Sequence, residues 1–274
     1  MYYFSLEFLR KLEAHDPAIK VLKFSHELTD LEMEFIAIPL KSQDTHVTSL
    51  ILKGRQITTR GIKHLAAMLK ENKTITTLDL SDNDLDTEGI EALVEGLKEN
   101  TTLQTLDLSA TKINNTGILV LVEALKKNPN LQKLNLSFNR ISALGANDLA
   151  RLLIESKLRQ LIITNNQLGD EGVAILEEAL KENKFLTILN LRLNQIGNLG
   201  ACALARVLVE NRGILSVLRV DYNLIGPEGV DILRAAARWN GKIKSVCLLY
   251  NPGLVVNNDS VAPVEFQRNV RRRI

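Results

Sequence analysis

Cysteine is almost missing from this chain: only Cys202 and Cys247 occur in 274 residues. Two cysteines build no disulfide framework, so a reducing, cytoplasmic setting is expected. Aromatic residues are also sparse, at 4% against 45% hydrophobic residues. The core must therefore be aliphatic and built by repetition. No apolar run approaches the roughly 18 residues of a membrane-spanning helix. The opening MYYFSLEFLRKLEAHD carries charges within its apolar stretch and lacks the basic-then-apolar order of a secretory signal. Formal charge is only +2, so no global field draws the chain to nucleic acid or to a membrane. The four histidines, His15, His26, His46 and His64, share no metal-ligand spacing.

One acidic stretch, LDLSDNDLDTEGIEALV at residues 78–94, raises a calcium loop as a possibility, because Asp82, Asp84 and Asp86 alternate. Counted from Asp82, such a loop needs glycine at its sixth position and a bidentate Glu at its twelfth. The residues there are Thr87 and Leu93. No metal site is expected, and the stretch has a plainer explanation.

It is one copy of a repeat. Leu78, Leu80, Asn83 and Leu85 recur as Leu106, Leu108, Thr111 and Ile113, then as Leu134, Leu136, Asn139 and Ile141. Starts at 19, 47, 75, 103, 131, 158, 186, 215 and 243 give about nine repeats with a period of 27–29. Within each repeat, leucines first alternate with polar residues, the pattern of a short strand buried on one face. Apolar residues then follow at helical spacing, as at Ile90, Leu93 and Leu97. Gly61, Gly89, Gly117, Gly145, Gly172, Gly200 and Gly229 are expected in tight loops leading into the helices. Asn72, Asn100, Asn128, Asn183, Asn211 and Asn240 follow the helices, where the left-handed closing conformation is expected.

The frame L-x-x-L-x-L-x-x-N-x-L, as at Leu186, Leu189, Leu191, Asn194 and Ile196, resembles the leucine-rich repeat family in its longer, ribonuclease-inhibitor-like subtype. The resemblance covers residues 19–254. It implies an α/β solenoid horseshoe with an inner parallel β-sheet and outer α-helices. It also implies a ladder of inward-pointing asparagines (Asn83, Asn139, Asn166, Asn194, Asn223 and Asn251), weakened at Arg55 and Thr111. Residues 1–18 read as a capping helix through Phe4, Leu6, Phe8, Leu9 and Leu12. Residues 255–274 read as a C-terminal cap with a basic tail, Arg268 and Arg271 to Arg273, taken as a solvated end.

No catalytic constellation is visible. Cys202 falls on an outer helix as a packing residue, and Cys247 falls on an inward strand position without a histidine base. The chain is therefore expected to be no enzyme and to need no cofactor. Its inner face is bland and acidic early, at Asp79, Asp82 and Asp107, which disfavours nucleic acid. Later repeats place Phe138, Arg192, Leu193, Arg219, Asp221, Tyr222, Leu249 and Tyr250 on that face. Such residues compose protein-binding hot spots. The expected function is a non-enzymatic protein-interaction module holding a partner protein on the C-terminal half of its concave face. No small-molecule substrate and no membrane insertion are expected, and the chain should be a monomer.

The scarcity of cysteine sets the chain apart from ribonuclease inhibitor itself. It is similar to the sensor portion of NOD-like receptors and to repeat proteins that intracellular bacteria deliver into host cells, which would make it an effector in the host cytosol. The alternative is a GTPase activator resembling that of Ran, whose acidic tail this chain lacks.

Overall fold

The computed structural model describes residues 5–126 and 128–254, and the strand at 264–265. Two compact units divide the chain, one running to Ile141 and including Glu155–Leu158, the other containing Ser142–Ile154 and everything from Arg159.

In the first unit α1 (Leu6–Glu13), β1 (Val21–Lys23), α2 (Asp30–Leu40), β2 (Ser49–Ile51) and α3 (Thr59–Glu71) are followed by β3 (Thr77–Asp79), α4 (Asp86–Leu97), β4 (Thr105–Asp107), α5 (Asn115–Leu125) and β5 (Lys133–Asn135). The strands pair in parallel, each with the next, and Leu22, Leu50, Leu78, Leu106 and Leu134 stand in one register. All five leucines are fully buried. The alternation read from sequence is thus one buried row facing the helices and a polar row left open on the other side. In α1, Phe8 and Leu12 are buried, and the Phe8 ring meets Phe24 edge-on at 5.9 Å. Leu6 instead faces solvent, and Phe4 lies outside the described residues.

The second unit contains α6 (Ala143–Glu155, all but its last residue), β6 (Gln160–Ile162), α7 (Gly169–Glu182), β7 (Ile188–Asn190), α8 (Asn198–Glu210), β8 (Val217–Arg219), α9 (Pro227–Asn240) and β9 (Ser245–Cys247). Strands β6 to β9 pair in parallel. A short β10 (Val264–Glu265) pairs antiparallel to β9. The rest of the proposed C-terminal cap, with Arg268 and Arg271 to Arg273, lies outside the described residues. Each unit is an α/β solenoid segment, as the repeat implied.

Two asparagine ladders tie repeat to repeat. In the first, Asn139 Oδ1 accepts from the amides of Thr111 and Ile113 at 3.2 and 3.0 Å. Its Nδ2 donates to the carbonyls of Leu108 and Leu136 at 2.8 and 3.0 Å. Asn83 and Asn223 repeat this arrangement. Thr111 does not, because its hydroxyl reaches the Leu108 carbonyl of its own turn at 2.7 Å and Asn139 Oδ1 of the next turn at 3.5 Å, and among the described residues no group of the turn before. The Leu85 amide, left without a ladder acceptor, turns to the Asn83 carbonyl at 3.1 Å.

The second ladder corrects the reading of the asparagines after the helices. Asn72, Asn183 and Asn211 are not left-handed; their φ values are −65°, −66° and −58°. Their amide groups instead donate to carbonyls of the preceding helix: Asn72 to Leu40, Asn183 to Leu153 and Asn211 to Leu180, all at 2.6 Å. Buried carbonyls at helix ends need partners, and these side chains supply them across the repeat.

The repeated glycines are also corrected. Gly200 and Gly229 lie inside the first turn of α8 and α9, not in loops. A Cβ at Gly200 would stand 2.6 Å from Asp170 Oδ1, and one at Gly229 would stand 2.6 Å from Asn198 Oδ1. Those oxygens cap the following helix: Asp170 accepts from Gly197 and Gly200, and Asn198 from Gly226. Close approach between repeats, rather than turn geometry, requires the glycine.

Helices α7 and α8 are further joined by a buried carboxylate. Glu177 accepts from Arg206 Nε and Nη2 at 2.7 and 2.6 Å and pairs with Lys181 at 2.8 Å. The Arg206 guanidinium, opposed by burial and assisted by Lys181, holds the Glu177 carboxyl down at about 2. A carboxyl depressed on folding stabilises fully above its unfolded value of about 4.3, and that stability is lost as pH falls toward 2. Glu177→Gln should therefore melt below wild type at pH 6, with the gap closing progressively from about pH 4.3 to 2. A gap independent of pH would show that packing, not ionisation, is the contribution of Glu177.

Candidate functional site

The turn that follows each strand has one conformational peculiarity. The residue immediately before the ladder position is left-handed in eight successive repeats: Gly54, Asp82, Ala110, Phe138, Asn165, Leu193, Tyr222 and Tyr250, with φ between 54° and 60°. In Gly54, Asp82, Ala110, Asn165, Leu193 and Tyr222 its amide donates to the carbonyl one turn ahead, as from Asp82 to Ser109 and from Tyr222 to Leu249, both at 2.9 Å. The left-handed residue then swings the next side chain inward, where the ladder asparagine is needed. Glycine and asparagine accept such a φ easily, but bulky side chains pay roughly 1–2 kcal/mol. Phe138, Leu193, Tyr222 and Tyr250 hold it nonetheless, and they are 55%, 38%, 38% and 61% exposed.

Phe138 belongs to the first unit; the remaining candidates belong to the second. There Tyr222 and Tyr250 stack with centroids 4.2 Å apart and planes 16° apart. The Arg192 guanidinium, one turn earlier, lies over the Tyr222 ring at 5.1 Å. Partial desolvation first, and then the Tyr250 hydroxyl, raise the Tyr222 phenol above its ordinary pKa, so Tyr222 presents a neutral hydroxyl near neutral pH. Arg219 is exposed on β8, and Leu249 is half-buried.

Asp221 departs from the expected surface role. It is only 6% exposed, and its carboxylate accepts from the Leu249 amide at 3.1 Å while standing 3.5 Å from Arg192 Nε. It fixes the turn and holds Arg192. The early acidic stretch is likewise occupied: Asp82 pairs with Lys53 at 3.1 Å, Asp84 with Lys112, and Asp86 caps α4 through the Gly89 amide.

A second exposed feature was not singled out from sequence. Cys202 and Val209 of α8 and Ile232 and Trp239 of α9 line a shallow groove of about 550 Å³. Trp239 is 78% exposed. The signal was available, since the chain's only tryptophan falls off the buried stripe of α9. Among the described residues, no helix is long and apolar enough to cross a membrane.

Comparison with known proteins places the repeat independently. The family model described as "Leucine Rich repeat" matches residues 71–94, 99–122, 127–150, 156–174 and 182–205. Solved structures similar to this chain include leiomodin-1 actin-binding site 2, at 15% identity over 70% of this chain and 80% of that one, with a TM-score of 0.36. The tropomodulin C-terminal domain of Caenorhabditis elegans is 21% identical over 55% of this chain and 92% of its own, with a TM-score of 0.44. A plant ice-binding protein is 15% identical over 88% and 67%, with a TM-score of 0.47. No match was found among curated proteins.

Proposed function

The chain is a leucine-rich repeat protein, and from that premise we propose that it is a non-enzymatic protein-interaction module whose partner docks on the open strand face of the second unit. The repeat length of 27–29 and the helices opposite the strands fit the ribonuclease-inhibitor-like subtype. One observation carries the reading. Large apolar and aromatic side chains occupy left-handed turn positions where glycine or asparagine would be more stable, and they are exposed. Strain retained at an exposed position is explained by function rather than by folding. Tyr222 and Tyr250, stacked and flanked by Arg192, supply the rigid aromatic and guanidinium contacts that dominate protein interfaces.

The test is retention of proteins from a eukaryotic lysate on immobilised chain. Wild type is compared with Arg192→Glu/Tyr222→Ala, with Phe138→Ala alone and with Trp239→Ala alone. A protein held by wild type and lost from the double variant, with all four proteins equally folded, is the expected result. Loss from Trp239→Ala instead would move the working surface to the helices. Loss from Phe138→Ala alone would move it to the first unit.

A further inference from the structure

Acidic charge in the second unit is concentrated on the helices, which also carry basic residues such as Lys181 and Arg206. Its described acidic residues lie on helices: Asp148 on α6, five on α7, Glu210 on α8, and Glu228 and Asp231 on α9. Two described acidic residues are exceptions: Asp221, which is buried, and Glu265 on β10 at the edge of the sheet. The strands and their flanks carry Arg159, Arg192, Arg219 and Lys244. Arg159, Arg219 and Lys244 are exposed, and among the described residues none of them pairs with a carboxylate. The first unit differs, because its strand face carries Asp79, Asp82 and Asp107, and there Lys53 is paired with Asp82 at 3.1 Å.

Resting on the proposed docking face, we infer that its occupant is an acidic segment of a partner protein bearing an aromatic or large apolar anchor. Arg219 ends β8 opposite Asn190, and Arg192 follows two residues beyond the end of β7. The two are one strand spacing apart across the sheet, about 5 Å, and two residues apart along it, so each guanidinium can take its own carboxylate in fork geometry. The Arg192 Nε already leans on Asp221, which leaves its terminal nitrogens for the partner. The anchor has Leu193, Leu249 and the outer face of Tyr250 to rest on.

Single-stranded nucleic acid also binds tyrosine and arginine, but it needs free ring faces for its bases. Tyr222 has none to spare: Tyr250, from the turn after, stacks on it, and Arg192, from the turn before, lies over it. What Tyr222 offers is its edge and hydroxyl, which suit a peptide.

The probes are a fluorescent random copolymer of glutamate and tyrosine, the corresponding lysine–tyrosine copolymer and oligothymidine, each titrated into the full chain by anisotropy. The glutamate–tyrosine copolymer should bind, weaken with added salt, and lose about tenfold in affinity with Arg219→Gln and again with Arg192→Gln. Melting curves of both variants are compared with wild type to establish that they remain folded. Equal binding of the lysine–tyrosine copolymer, or affinity unchanged in both variants, overturns the inference. Oligothymidine bound as tightly through the same arginines would make the face a general polyanion site and would overturn it too. No binding of the glutamate–tyrosine copolymer rejects the acidic chemistry alone. The docking face itself is then judged by retention from lysate, which does not depend on the sign of the partner's charge.

Discussion

Asn139→Ala is expected to destabilise the protein by about 3 kcal/mol, because two buried backbone donors lose their acceptor together. The amides of Thr111 and Ile113 share Asn139 Oδ1, and the alanine side chain offers no replacement acceptor. The carbonyl side suffers less, since Leu108 keeps the Thr111 hydroxyl as a donor. Thr111→Ala makes the comparison sharp. It removes one short hydrogen bond within its own turn, one long contact to Asn139 Oδ1 and no bond to the preceding repeat, so about 1 kcal/mol is expected. Denaturant titration gives the global effect, and amide exchange gives the local one, with the Ile113 amide released in Asn139→Ala and still protected in Thr111→Ala. Repeat arrays often unfold in more than one step, so the local readout decides. Equal destabilisation by the two substitutions would mean that the ladder contributes no more than an ordinary turn bond.

This ladder was legible in the sequence because it sits in a fixed place relative to leucines whose spacing reports burial directly. Leu78, Leu106 and Leu134 announce both the strand and its register, and the ladder position follows at a constant offset, filled by Asn83, Thr111 and Asn139. Residues whose roles are set between repeats were harder to read. Asn183 looks like a left-handed helix terminator by local preference, yet a carbonyl of the preceding helix, Leu153, holds it in extended backbone. Gly200 looks like a loop glycine, yet the carboxylate of Asp170 in the repeat before and Ile196 of its own repeat both stand where a Cβ would go. Asp221 alternates outward like its neighbours on β8, yet Arg192 and the Leu249 amide, each one turn away, enclose it. The left-handed turns were hidden for a further reason. Local propensity signals a positive φ only through glycine or asparagine, and here it is met by Phe138, Leu193, Tyr222 and Tyr250.

That mismatch leads to the second large effect, a separation of stability from binding. Leu193→Asn should raise stability by about 1 kcal/mol, since asparagine takes a φ of 55° at little cost and Leu193 is partly exposed already. Tyr222→Asn gains similarly from its backbone but forfeits the Tyr250 stack and the Arg192 contact. Such ring pairs contribute about 0.5–1.5 kcal/mol, so the net change in stability should lie near zero. Binding behaves differently. An interface tyrosine acting as a hot spot costs about 2 kcal/mol or more when truncated, roughly thirtyfold in affinity. Measured on a partner retained from lysate, Tyr222→Asn should therefore lose most of its binding with an unchanged melting curve, and Leu193→Asn should melt higher while binding more weakly. If Tyr222→Asn unfolds the protein, the two tyrosines are structural, and their strain is offset inside the fold rather than by a partner. If both variants keep full affinity, the strained side chains do not form the contact surface, and the groove beside Trp239 becomes the better account of the same partner.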